Sequence, residues 1–180
     1  MKFLISLSIM LGIAAMTGCA QSPLSPKGDA IFYALQADSM MNTWRYECST
    51  VSSRAEFEAD VARAEWWRRN KETVQAADYG LGYNVLAISD DRVSTGARMA
   101  MGMTLEIQQR SEALVNEKLN NTSDKEALCI KVLGQYREGT WDIKGPEEME
   151  DLLMKMKQES NNNQEALEVR RGMIEKATGV

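Results

Sequence analysis

The chemistry open to this chain is narrowed first by a residue it lacks. Among its 180 residues there is no histidine. That removes Ser-His-Asp and Cys-His catalysis, histidine-ligated zinc and ordinary imidazole acid–base chemistry. Carboxylates are abundant, and a glycan-cleaving enzyme works with carboxylates alone. The adjacent pairs Asp90-Asp91 and Glu147-Glu148 fall where helices should begin, however, and acidic residues there answer the helix dipole. They read as caps, with no motif around them. Met99, Met101 and Met103 form the run Met-Ala-Met-Gly-Met. Thioethers are soft ligands for Cu(I), and a strand would align all three. On a helix Met99 and Met103 share a face while Met101 points away, and the run becomes adaptable core packing. Gly80-Leu81-Gly82 lacks the third glycine and flanking strand of a dinucleotide loop and reads as a turn. No catalytic, metal-binding or cofactor-binding residue is assigned.

Trp66-Trp67-Arg68-Arg69 is the other cluster that could act. Adjacent helical positions cannot both face a core. Trp67 continues a stripe begun by Phe57, Val61 and Ala64 and carried on by Val74, so Trp66 is expected on the surface beside Arg69. An exposed Trp with Arg is the composition of a protein-binding hot spot, which makes these two the candidate partner-binding residues. The alternative is that Trp66 packs under a loop or against the C-terminal helices.

The N-terminus carries a clearer signal. Lys2 precedes an apolar stretch, Phe3 to Met16, broken only by Ser6 and Ser8, and the small residues Thr17, Gly18, Cys19 and Ala20 follow. A basic start, a short apolar core and a small-residue exit make a secretory signal peptide, expected over residues 1–18. The stretch is shorter than the roughly 20 residues of a membrane span. Met16-Thr17-Gly18-Cys19 resembles the lipobox of bacterial lipoproteins, with Met where Leu is usual. The resemblance implies that the Cys19 thiol receives a diacylglyceryl group and that cleavage makes Cys19 the first mature residue. Several acyl chains then anchor the protein stably, where one chain binds only marginally. In the enterobacterial sorting rule an Asp after the cysteine retains the protein in the inner membrane. Ala20 therefore implies an outer-membrane anchor facing the periplasm.

With Cys19 taken by lipid, Cys48 and Cys129 remain. In an exported chain an even remainder implies a disulfide, and their wide separation does not suit a redox dithiol. Loss of Lys2 with the signal takes the formal charge from −5 to −6. An acidic chain without a basic block argues against nucleic acid as partner, and against electrostatic adhesion to anionic lipid. Attachment to the membrane is left to the lipid on Cys19.

The elements that must position these residues all read as helices. Ala30, Ala34, Ala37, Met41, Trp44, Cys48 and Val51 recur at spacings of four and three, predicting a helix over 29–51 with Cys48 on its inner face. Ser53 with Glu56 starts a second helix, ending before Gly80, and the short hinge between them implies an antiparallel hairpin. Residues 81–89 are helix or irregular. Asp90 or Asp91 caps a third helix to about Leu119, with Val93, Ala97, Ala100, Ile107 and Leu114 inward. Ser123 and Glu126 open a fourth, over 124–137, whose apolar face is Leu128, Cys129, Val132, Leu133 and Tyr136. Pro146 opens a fifth, with Met149, Leu152, Leu153 and Met156 inward, and a last helix covers 164–177.

The expected fold is all-α: an irregular bundle of about five to six helices over 29–180, after a signal peptide and a lipidated tether at 19–28. Residues 146–180 form a possible C-terminal hairpin. The expected function is that of a non-enzymatic envelope lipoprotein, a helical interaction or assembly module with an envelope protein as partner. A carboxylate-based glycan-cleaving enzyme and a methionine-based copper protein are the alternatives.

Overall fold

A computed structural model describes residues 25–86 and 93–162, together with residue 172. The segment expected as a signal peptide, Cys19, the expected caps Asp90 and Asp91 and, apart from residue 172, the helix expected over 164–177 lie outside the described residues. The described chain is all-α: α1 Pro26–Ser49, α2 Ser53–Leu86, α3 Val93–Asn120, α4 Lys125–Arg137 and α5 Glu147–Asn162. None of these helices is long and apolar enough to cross a membrane.

Local chemistry sets the ends. The Ser25 side chain accepts from the Gly28 amide at 3.2 Å and Pro26 takes a first-turn position, so α1 begins three residues before the expected Asp29. The second helix is capped by Ser52, whose hydroxyl accepts from Ala55 N at 3.2 Å, one residue ahead of the expected Ser53. Asp124 rather than Ser123 caps α4, accepting from Ala127 N at 2.9 Å. In each case the capping side chain sits where it can reach the amide three residues on.

Gly80 does not end α2, which runs on to Leu86. A Cβ built on Gly80 would lie 3.0 Å from Met156 Sδ and 3.3 Å from Ile31 Cδ1. The glycine is a place where α1 and α5 pack directly on helical backbone.

Helices α1 and α2 are the expected antiparallel pair. Arg45 reaches Asp60 at 2.8 Å and Arg63 reaches Asn42 at 2.7 Å, so numbers fall along one helix as they rise along the other. Helices α3, α4 and α5 all pack against this hairpin. Its inner face carries Ala30, Ala34, Met41, Trp44 and Cys48 from α1 and Ala55, Ala59, Ala62, Trp66, Val74 and Ala77 from α2. The alanines let the two backbones approach closely. Cys48 and Cys129 form a disulfide, Cα atoms 5.6 Å apart, that ties α1 to α4.

The α2 face differs from the expected one. Phe57 is 66% exposed and Trp66 is fully buried, so the inward stripe is rotated by about one residue from the line drawn through Phe57, Val61, Ala64 and Trp67. Leu114 of α3 is likewise exposed, and Ser111, Val115 and Leu119 face inward.

Candidate functional site

The residues singled out for binding turn out to build the fold. Trp66 is covered by the segment 138–146 between α4 and α5, and its indole N–H donates to the Trp141 carbonyl at 2.9 Å. Tyr136 packs edge-on against it, ring centroids 6.4 Å apart, and burial pushes the Tyr136 phenol well above its ordinary range. Arg69 donates to both carboxylate oxygens of Asp142, at 3.1 and 2.8 Å, and to the Tyr136 carbonyl. Asn70, buried beside it, donates to Asp142 Oδ1 and to the Trp66 carbonyl at 2.9 Å and accepts from Ile143 N at 2.8 Å. Gly139 makes the bend with φ +81°, where a side chain would strain the backbone and meet Asp142. Trp66 is therefore not the exposed side chain expected of it: with Arg69 it latches this segment onto α2. An indole with a buried N–H needs an acceptor, and the Trp141 carbonyl supplies one.

The methionine run is helical, with Met99 and Met101 exposed and Met103 half-buried against the core. A half-turn separates Met101 from its two neighbours, so the run does not converge on one point.

The candidate site lies elsewhere, in a groove of about 540 Å³ between α1 and α3, closed at one side by Asp78 and Leu81 of α2. One stripe of α1 forms a wall: Leu35, Asp38, Asn42 and Tyr46 follow at helical spacing, with Glu47 beside them. On α3 the opposite wall is Thr104, Ile107, Gln108, Glu112 and Asn116. Four carboxylates line the groove, from Asp38, Glu47, Asp78 and Glu112, and no Lys or Arg stands among its described lining residues.

Asp38 is the most constrained of these. Its Oδ2 accepts from Asn42 Nδ2 at 2.9 Å, and its Oδ1 lies 3.3 Å from an Arg63 guanidinium nitrogen. Arg63 in turn lies over the Trp67 ring, 4.5 Å from its centroid. Burial raises the Asp38 pKa, and the Arg63 charge and the Asn42 hydrogen bond oppose that rise. Asp78 is raised by burial and then by the negative Asp38. The folded chain therefore holds these protons more firmly than the unfolded one, and ionising both groups as pH climbs past 3.8 removes stability. Arg63 answers Asp38, and no Lys or Arg among the described lining residues answers Glu47, Asp78 and Glu112.

Sequence reading missed this groove because each wall, taken alone, is an ordinary polar helix face. Only the pairing of α1 with α3 makes a concavity of them. No group of three or more His, Cys, Asp or Glu side chains is placed to hold a metal ion among the described residues. No protein-family model, curated protein or solved structure matches the chain.

Proposed function

We propose that this chain is a non-enzymatic lipoprotein of the bacterial envelope. The lipid on Cys19 anchors it in the outer membrane, and its helical domain faces the periplasm and binds another protein. The Met16–Cys19 motif supports the anchor. The observation that carries the binding role is the open groove, with exposed apolar side chains on the two helices that wall it. Tyr46 on α1 is 69% exposed, and Met101 and Leu105 on α3 are 61% and 54% exposed. Met101, Leu105, Gln108 and Glu112 follow at spacings of four, three and four, so the apolar pair extends the stripe of α3 that lines the groove. Exposed large apolar side chains on the helices that wall a groove are a feature of surfaces that a partner covers.

Two carboxyl groups with raised pKa in one groove also favour a second reading, acid–base chemistry on glycan. The binding reading is stronger because Asp38 is already engaged by Arg63 and Asn42.

Two experiments test the proposal. The Cys19→Ser chain should incorporate no labelled palmitate and should appear in the soluble fraction. Equal labelling of both chains would remove the anchor. For the binding role, a photoreactive amino acid at Tyr46 or Leu105 should give discrete protein crosslinks in cells, while one at Glu150, exposed on α5, should not. The same pattern from all positions, or no crosslink from any, would refute a specific binding surface.

A further inference from the structure

Resting on the reading of this chain as an interaction module, we infer that the α1–α3 groove receives a basic, amphipathic helical segment of its partner protein. Charge selects the partner's chemistry. Glu47, Asp78 and Glu112 line the groove with Asp38, and none of these three forms a salt bridge among the described residues. The Gln108 amide donates to Glu112 at 2.9 Å. Lysine or arginine side chains entering here would find carboxylates from three different helices. An acidic or neutral segment would leave those charges desolvated against one another, which penalises the wrong partner.

Shape selects a segment over a small polycation. The α1 wall runs from Leu35 to Glu47, roughly 18 Å at about 1.5 Å per residue. That length matches about three turns of a docked helix. Leu35, Leu81 and Ile107 line the groove along with the carboxylates, Tyr46 stands exposed on its α1 wall, and Met101 and Leu105 are exposed on α3, the helix that forms the other wall. A polyamine would use the charge and leave these apolar groups uncovered. A helix with one apolar stripe flanked by basic residues uses both, as in helix-in-groove recognition.

The test uses a labelled 14-residue peptide of lysines with leucine at every third or fourth position, titrated with the purified full-length chain. The same titration of protein-free detergent is subtracted. Wild type should bind saturably. The triple variant Glu47→Gln, Asp78→Asn, Glu112→Gln should bind at least about tenfold more weakly. A charge-matched triple at exposed positions outside the groove, Glu56→Gln, Glu72→Gln, Glu150→Gln, should change affinity less than about twofold. Met101→Ser with Leu105→Ser should also weaken binding several-fold without changing the melting temperature, because both side chains are exposed. Equal losses from the two charge triples would reduce the effect to net charge and overturn the inference. Absence of saturable peptide binding would overturn it too, as would spermine binding the groove as tightly as the peptide. The module itself is judged separately. If crosslinks form in cells at Tyr46 and Leu105 while the peptide fails, or if the crosslinked segments carry no basic residues, the interaction role stands and the chemistry assigned to its partner falls.

Discussion

Replacing Cys48 and Cys129 together by alanine should lower the stability of the oxidised chain by about 4–5 kcal/mol. The bridge closes 81 residues of sequence, and a loop of that size restricts the unfolded chain by about that amount in the loop-closure treatment. The value is a large part of the 5–15 kcal/mol that holds a typical domain together. Position adds to the effect. Helix α4 packs mainly on α2, and the disulfide is what binds it covalently to α1. Both cysteines are fully buried among Trp44, Ala55 and Leu133 in one apolar cluster, so the alanines also leave small voids. Urea unfolding with and without reductant separates these contributions. Reduced wild type should approach the double variant, while oxidised wild type should unfold at clearly higher urea. Coincident curves for oxidised and reduced wild type would mean that no bridge forms.

The apolar periodicity of α1 and α4 was legible because each has one dominant seam made of large and small residues together. On α1 the seam that carried Cys48 inward is the seam observed, and on α4 Cys129, Val132, Leu133 and Tyr136 are buried as their spacing required. Two buried cysteines on helices that face one core are brought within bonding reach by that packing.

Helix α2 was misread for a physical reason. Its inner face is built of Ala55, Ala59, Ala62 and Ala77, which let α1 come close and supply little apolar signal. The larger Phe57 and Val61 dominate a count of hydrophobic residues, yet Phe57 faces solvent. Gly80 misled in the same way: it looks like a terminator but serves as a contact point for Ile31 and Met156. The groove was illegible for another reason. Asp38, Asn42, Asp78 and Glu112 lie on three helices whose mutual placement no local pattern encodes.

The adjacent tryptophans give the sharpest test of this corrected face. Trp66→Ala should destabilise the domain by roughly 3–5 kcal/mol, the range for removing a fully buried large aromatic. Trp67→Ala should cost less, on the order of 1–2 kcal/mol, since Trp67 is only half-buried at the edge of the core, with the Arg63 guanidinium lying over its ring. Trp66 also fixes the segment after α4. Its N–H engages the Trp141 carbonyl, and beside it Arg69 and Asn70 hold Asp142 and Ile143. Losing the indole should therefore loosen residues 138–146 before the whole domain unfolds. Amide hydrogen exchange would detect this as faster exchange at Ile143, whose N–H is bonded to Asn70. Trp66→Phe keeps much of the buried area but loses part of the ring and the donor, so its cost should fall between the two alanine variants, with about 1 kcal/mol belonging to the lost hydrogen bond. If Trp67→Ala proved the more damaging change, the inward face of α2 would be the one through Phe57 and Val61. The latch built on Trp66, Arg69 and Asn70 would then not exist in the folded protein.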